Sequence, residues 1–335
     1  MMTLSSFGTR IPLGKLVMGA GLAGAVTLGL GSSLSQARLD CPRPPQMDAR
    51  YCDRVGDLVA DLPEDPSEWV DPEVLLVSYT SSEEPAVYAN TWAEFTAHLE
   101  EVTGRRVQFV PADSQAAQYE AMRAGRLHIM GTCTGCTPVA VNVAGFVPFA
   151  IFQQEDGSIG YEMEVITHVN SDIQALDDIA GRRVAFTHPS SNSGYISARI
   201  LIKQETGLDD EAGDYIAEFS GSHQNSILGV FNEDYDAAPI ANDVLNRMCL
   251  NEQVDCSQFR SLYKSETFPS GSFGHAHNLH PELAERIREA FFTFEFEGTA
   301  MRQAFDRVAF APITYQENWE IIRRIQEEEG VEYTL

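Results

Sequence analysis

Positive charge is scarce in this 335-residue chain: 23 Lys and Arg stand against 49 Asp and Glu, a formal net charge of −26 at pH 7. A field of that sign repels a polyanion, which excludes nucleic acid as a partner and disfavours anionic membrane surfaces. A small anion is not excluded, because short-range hydrogen bonds outweigh a screened distant field. Nucleotide signatures are missing too: beyond residue 37 there is no GxxxxGK(S/T) loop and no GxGxxG fingerprint, so a nucleotide is not the natural guest. Without a GxSxG elbow or an HExxH pair, hydrolase chemistry has no carrier. No catalytic turnover and no cofactor are expected.

Acid is absent from residues 1–37, which carry Arg10 and Lys15, an apolar Gly/Ala-rich run from Leu16 to Leu30, and the small residues Ser35 and Ala37. That is the pattern of a Sec signal peptide with an A-x-A-like cleavage site. There is no twin arginine, and Arg38-Leu39-Asp40 before Cys41 is no lipobox. Left uncleaved, the segment would be an N-terminal anchor. Either way the body is exported to the periplasm, an oxidising compartment where neighbouring cysteines pair. The six cysteines fall in three close pairs. Cys41 with Cys52, and Cys249 with Cys256, are candidates for structural disulfides; Cys133 and Cys136 lie in a Gly/Thr loop, Gly131 to Pro138.

With 44% hydrophobic and 21% charged residues, the chain has a globular composition. Residues 38–72, rich in Pro, Asp and Arg without periodicity, read as an irregular N-terminal extension. Structure begins at Val74, whose apolar strand to Tyr79 ends in the polar loop holding Ser81. Trp92, Phe95, Leu99 and Val102 recur at helical spacing. Further strands are expected at Arg106–Pro111, Leu127–Met130, Met163–His168, Val184–Thr187, Tyr215–Phe219 and Tyr235–Ile240. Helices follow most of them, and two more close the chain at Leu283–Phe294 and Trp319–Glu329. This alternation argues an α/β protein of two lobes, each a mostly parallel sheet flanked by helices. Lobe 1 is expected at 73–164 plus 269–335 and lobe 2 at 165–268. The recurring unit is a strand, a turn of Ser, Thr, Gly and Asn, and a helix N-terminus, which aims donors and the positive helix end at one point.

Three of these turns, Pro189 to Tyr195, Phe219-Ser220-Gly221-Ser222-His223, and Asp236-Ala237-Ala238 through Leu245, together resemble the phosphonate, phosphite and phosphate substrate-binding family of ABC importers over about residues 74 to 310. The resemblance implies a type II periplasmic binding protein with its ligand in the cleft between the lobes. It implies that Ser191, Asn192 and Ser193, in the turn shared with Gly194 and Tyr195, hold the ligand oxygens, and that His223 joins them. Asn242 and Ser81 are further candidates at the cleft. Where the family carries an acid that pairs with an aminophosphonate amine, this chain has Ala241, so an aminophosphonate is a poor candidate.

The first-lobe loop departs from the family, with Thr132, Cys133, Thr134 and Cys136 where hydroxyl chemistry is usual. Thiolates are soft ligands suited to a thiophilic centre. The loop is similar to that of periplasmic arsenite-binding sensors, so the preferred ligand is arsenite held by Cys133 and Cys136, read out by the periplasmic domain of a histidine kinase. The alternative is a phosphite, phosphate or phosphonate component of an importer, delivering its oxyanion to a membrane permease, with the two cysteines bridged. A second alternative is a thiol oxidoreductase. Zinc is a poorer fit, since it wants four ligands and only His128 lies near. His275, His277 and His280 read as a surface loop rather than a metal centre, and Tyr79, Tyr119, Tyr161 and Trp92 as core more than cleft.

Overall fold

A computed structural model describes residues 41–79, 90–112 and 114–334. The expected signal peptide and Ser81 lie outside the described residues. The strands, in chain order, are β1 (Val74–Tyr79), β2 (Arg106–Phe109), β3 (Ile129–Thr132), β4 (Phe146–Gln153), β5 (Gly160–His168), β6 (Arg183–Phe186), β7 (Ile216–Phe219), β8 (Ala237–Ala241), β9 (Phe259–Pro269), β10 (Ser272–Ala276) and β11 (Ala309–Pro312). They form two sheets, ordered β11-β4-β10-β3-β1-β2 and β7-β6-β8-β5-β9. The helices are α1 (Ala93–Thr103), α2 (Gln115–Arg123), α3 (Cys136–Ala144), α4 (Ser197–Thr206), α5 (His223–Phe231), α6 (Asn242–Leu250), α7 (Pro281–Thr293), α8 (Ala300–Phe305), α9 (Tyr315–Asn318) and α10 (Glu320–Glu328). Among the described residues no helix is long and apolar enough to cross a membrane.

The parallel ladders sit where strand and helix alternate in sequence. β1 pairs in parallel with β2 and β3, and β6 with β7 and β8, since a parallel return needs a crossover of helical length. α1 supplies one, burying Phe95, Leu99 and Thr103 and ending at Gly104 with a left-handed φ of 67°. The sheets are nonetheless mixed rather than mostly parallel. β10 runs antiparallel to β3 and β4, β11 to β4, and β5 to β8 and β9. No helix intervenes at the crossings between sheets: the chain passes from β4 to β5 within 154–159 and returns from β9 to β10 at 270–271.

The lobe division expected at 164/165 falls inside β5, whose residues pair with β8 and β9 throughout. The expected strand starts only at Met163, and Gly160 before it gives no strand signal, since glycine is poor in strands. Here a Cβ on residue 160 would come 2.6 Å from the Phe268 carbonyl oxygen, so the close strand approach requires glycine. β4 was not legible either: Phe146-Val147-Pro148-Phe149 is a continuous apolar run with a proline, and period two is lost in a strand buried on both faces.

Lobe 1 is filled by packed rings, among them Trp92, Phe95, Phe152, Phe273, Phe291 and Phe310. Lobe 2 packs Ile166, Ile227, Val230, Ile240 and Leu245. The N-terminal extension is closed on itself by the Cys41–Cys52 bridge and held on lobe 1 by Asp48 paired with Arg123 at 2.6 Å and by Val70 bridging to Leu279. The three C-terminal histidines are not one surface loop. His275 is buried in β10, His277 meets Tyr51 and the Asp61 carbonyl, and His280 lies edge-on to Trp69.

The chain's end also fixes the Gly/Thr/Cys loop. Trp319, fully buried, donates Nε1–H to the Thr134 carbonyl at 3.0 Å, and Gln326 Nε2 donates to the Gly135 carbonyl at 2.9 Å. Trp319→Phe is expected to keep most of the packing but leave the Thr134 carbonyl without its partner, lowering stability by about 1–3 kcal/mol, whereas Trp319→Ala costs about 3–5 kcal/mol. Urea unfolding midpoints check both, and a Trp319→Phe midpoint equal to wild type would show that the bond does not restrain the loop.

Candidate ligand site between the lobes

The cleft between the two sheets encloses about 1110 Å³. Three helices open their N-terminal ends onto it: α2 from lobe 1, α5 and α6 from lobe 2. First-turn N–H groups lack intrahelical partners, and the helix dipole adds positive potential there. Ser114 caps α2, accepting from the Ala117 N–H at 3.2 Å, and Ser222 caps α5, accepting from the Asn225 N–H at 3.1 Å. The recurring strand–turn–helix unit thus converges its donors from both lobes.

Ser191, Asn192, Ser193 and His223 all line the cleft. The turn is locked locally, for Ser191 Oγ accepts from the Gly194 N–H at 3.1 Å and Ser197 Oγ donates to Asn192 Oδ1 at 2.6 Å. Asn192 Nδ2 donates to the Tyr161 hydroxyl at 3.4 Å, and desolvation holds that phenol above its ordinary pKa. His223 is 3% exposed. Its Nδ1 accepts from the Ala241 N–H at 3.1 Å, so in the neutral ring the proton sits on Nε2, 3.4 Å from Ser191 Oγ. Burial lowers its pKa to about 4, with Arg247 acting in the same direction and Asp243 against it. The ring is therefore an uncharged donor at the cleft wall.

Facing this wall, Thr132, Cys133 and Thr134 line the first-lobe side. The lobes touch there: Cys133 Sγ lies 3.8 Å from the Ser190 carbonyl, and Ser190 Oγ reaches Gln115 Oε1 at 3.4 Å. A Cβ on Gly135 would meet the Ser190 oxygen at 3.0 Å. Cys133 and Cys136 are joined in a disulfide, as are Cys249 and Cys256. Neither sulfur of the loop is then a thiolate, and Cys136, 2% exposed, packs in the lobe 1 core away from the cleft. The paired thiols that arsenite requires are not offered in this state.

Three other sequence candidates do not reach the cleft. Gly194 serves packing, since a Cβ there would fall 1.9 Å from Thr187 Oγ1. Tyr195 packs against Phe186 and Phe219, its apolar ring drawn to the aromatic cluster under the turn. Asn242 is spent on Glu162, accepting from its N–H at 3.0 Å and donating to its carboxylate at 3.0 Å. Conversely, sequence reasoning missed Asp243, Arg247 and Arg307, which line the cleft. Arg307 Nη2 meets Asp243 Oδ2 at 2.6 Å. The position four residues after Asp243 signals that Arg247 shares its helix face. Nothing local signals Arg307, which arrives from the far end of the chain.

A family model described as "ABC transporter, phosphonate, periplasmic substrate-binding protein" matches residues 77–319. The phosphate-import protein PhnD of Mycolicibacterium smegmatis is 26% identical over 242 residues, covering 68% of this chain and 75% of its own. The phosphonates-binding periplasmic protein of Escherichia coli is 21% identical over 235 residues, 69% of each chain. Among solved structures, a binding-protein component of an ABC phosphonate transporter from Pseudomonas aeruginosa superposes with a TM-score of 0.66 at 21% identity, covering 78% of this chain and 87% of that one. PhnD1 of Prochlorococcus marinus, solved with methylphosphonate, gives 0.65 at 15% identity, covering 78% and 99%. At such identities the likeness speaks for the fold.

The buried histidines make stability depend on pH. His223 and His275 both have folded pKa values near 4, below the ordinary 6.5, chiefly through burial. Between those values the unfolded chain binds protons that the folded one refuses, so stability falls as pH drops from 6.5 to 4. Each contributes at most about 3 kcal/mol to that fall. His223→Asn is expected to flatten the dependence of the urea midpoint over this window; an unchanged slope would mean that the ring is charged in the folded protein.

Proposed function

The chain belongs to the periplasmic substrate-binding family of phosphonate ABC transporters, and from that premise we propose that it captures a small phosphorus oxyanion in the inter-lobe cleft and delivers it to a membrane permease. The observation that carries this reading is the meeting of Ser191, Ser193 and the neutral His223 donor with three helix N-termini and Arg247 around one hollow. Hydroxyls, N–H groups and a guanidinium suit the hard oxygens of phosphate, phosphite or a phosphonate. The relatives are named for phosphate import and for phosphonate binding. The protein works in the periplasm and binds without turnover.

The mechanism is selection between open and closed arrangements. A ligand touching both Ser191 and the Thr132–Thr134 loop favours closure by the contacts it makes only when the lobes meet. The permease then reads the closed rim. This importer reading takes the place of the arsenite sensor and its kinase partner, because the bridged Cys133–Cys136 pair presents no thiolate and the named relatives handle phosphorus ligands. The same bridge, set in a binding-protein frame, also weighs against a thiol oxidoreductase.

Calorimetric titration with phosphate, phosphite, methylphosphonate and arsenite tests the reading, on the oxidised protein and again after a dithiol reductant. At least one phosphorus ligand is expected to bind the oxidised protein, and Ser191→Ala or His223→Ala to weaken it about 10- to 100-fold. Arsenite binding confined to reduced protein, with no phosphorus ligand bound in either state, would reverse the choice.

A further inference from the structure

We propose that Arg307 is a specificity-determining residue that acts through Asp243: by pairing from the opposite lobe with this carboxylate, the one acid among the described residues of the cleft wall, it masks that acid and keeps ammonium-bearing ligands out. The inference rests on the phosphorus-oxyanion reading and deepens it.

In a chain with 49 acidic and 23 basic residues, the described cleft lining inverts the balance, with one acid, Asp243, and two guanidinium groups, Arg247 and Arg307. Asp243 lies in the first turn of α6, where the helix dipole favours its charge. Left open, that carboxylate would repel a dianion and attract a cation. Arg307 occupies it instead. The pair is 2.6 Å long, with side chains 10% and 20% exposed, so water screens it little. Its partners belong to different lobes, Arg307 preceding β11 in the first sheet and Asp243 following β8 in the second. Arg307 is itself held in place. Residue 306 adopts a left-handed φ of 52°, its carbonyl accepts from Arg307 Nη1 at 3.1 Å, and its carboxylate is taken by Arg302. An amine entering the cleft would have to displace this preorganised guanidinium.

The test is a cycle of wild type, Arg307→Gln, Asp243→Asn and the double variant, titrated with methylphosphonate and with 2-aminoethylphosphonate. Wild type is expected to prefer methylphosphonate. Arg307→Gln should weaken methylphosphonate and tighten 2-aminoethylphosphonate by about tenfold each, moving the selectivity ratio about a hundredfold, and the double variant should lose that gain. Asp243→Asn should leave the amine excluded. A parallel loss of both ligands in Arg307→Gln, or tighter amine binding by Asp243→Asn, overturns the mask. Wild type that binds neither of these ligands, nor phosphate or phosphite, overturns the proposed function, and the mask is then read without ligand. Asp243 and Arg247 of α6 face His223 beside the neutral Ser191, so unmasking Asp243 should raise the His223 titration midpoint followed by proton NMR; an unchanged midpoint in Arg307→Gln overturns it.

Discussion

Donors from two separate sheets can converge on one small hollow only if no uncompensated carboxylate shares it. In a strongly acidic chain that is a demanding constraint, and the fold meets it by geometry. The helix N-termini, whose positive potential comes from the backbone, point inward, and the one acid of the described lining is tied to a guanidinium. The other described acids lie outside this lining, most of them exposed, where water screens them and where they favour solubility without opposing an anion at short range. Affinity for a small anion thus depends on local hydrogen-bond geometry and not on the sign of the whole molecule.

The sulfur-containing loop follows from the same demand for order. Its backbone is fixed from three directions: the bridge closes it, Thr134 Oγ1 donates to the Pro269 carbonyl at 2.9 Å, and Trp319 and Gln326 hold its carbonyls. A donor wall contributes to binding only if its members need not be reordered when the ligand arrives. Pro269 ends the strand that leads back from lobe 2, so the bond from Thr134 ties the loop to the return crossing between lobes. A rearrangement of the lobes is therefore felt at the ligand wall, which is the coupling a closing cleft requires.

Much of this was legible in the sequence, and the gaps have physical causes. The strand–turn–helix units at Val184 to Glu205 and at Tyr215 to Phe231 were readable because apolar period and turn chemistry agree there, and they place Ser191, Ser193 and His223 at the cleft. Gly194 and Tyr195 belong to the same turn, yet a turn has two sides, and sequence does not say which residues face inward. Of the antiparallel strands, β4 and β10 were hidden because they are buried on both faces and carry no alternation. Arg307 was beyond reach for another reason. Its partner lies 64 residues away in the chain and on the other lobe, so the pair exists only through topology. Cysteine spacing suggested that the sulfurs of residues 133 and 136 lie together, but not whether they are bonded.

The state of His223 shows why the cleft uses few charges. An imidazolium would bind an anion more strongly, but it would have to be kept charged in a buried site while empty, at a desolvation cost that the fold avoids by holding the ring neutral. The Ala241 N–H fixes Nδ1 as the acceptor and so commits the proton to Nε2. The ring then offers a donor whether or not a ligand is present, without attracting cations or leaving a buried charge unpaired. A bound oxyanion beside it would favour the protonated ring, so the anion itself would raise the histidine's pKa and couple its own binding to proton uptake at acidic pH. Arg247 opposes that uptake and Asp243 favours it. The strength of the coupling is accordingly set by the same Arg307–Asp243 pair that masks the cleft's acid, which joins charge selection and proton linkage in one contact between the lobes.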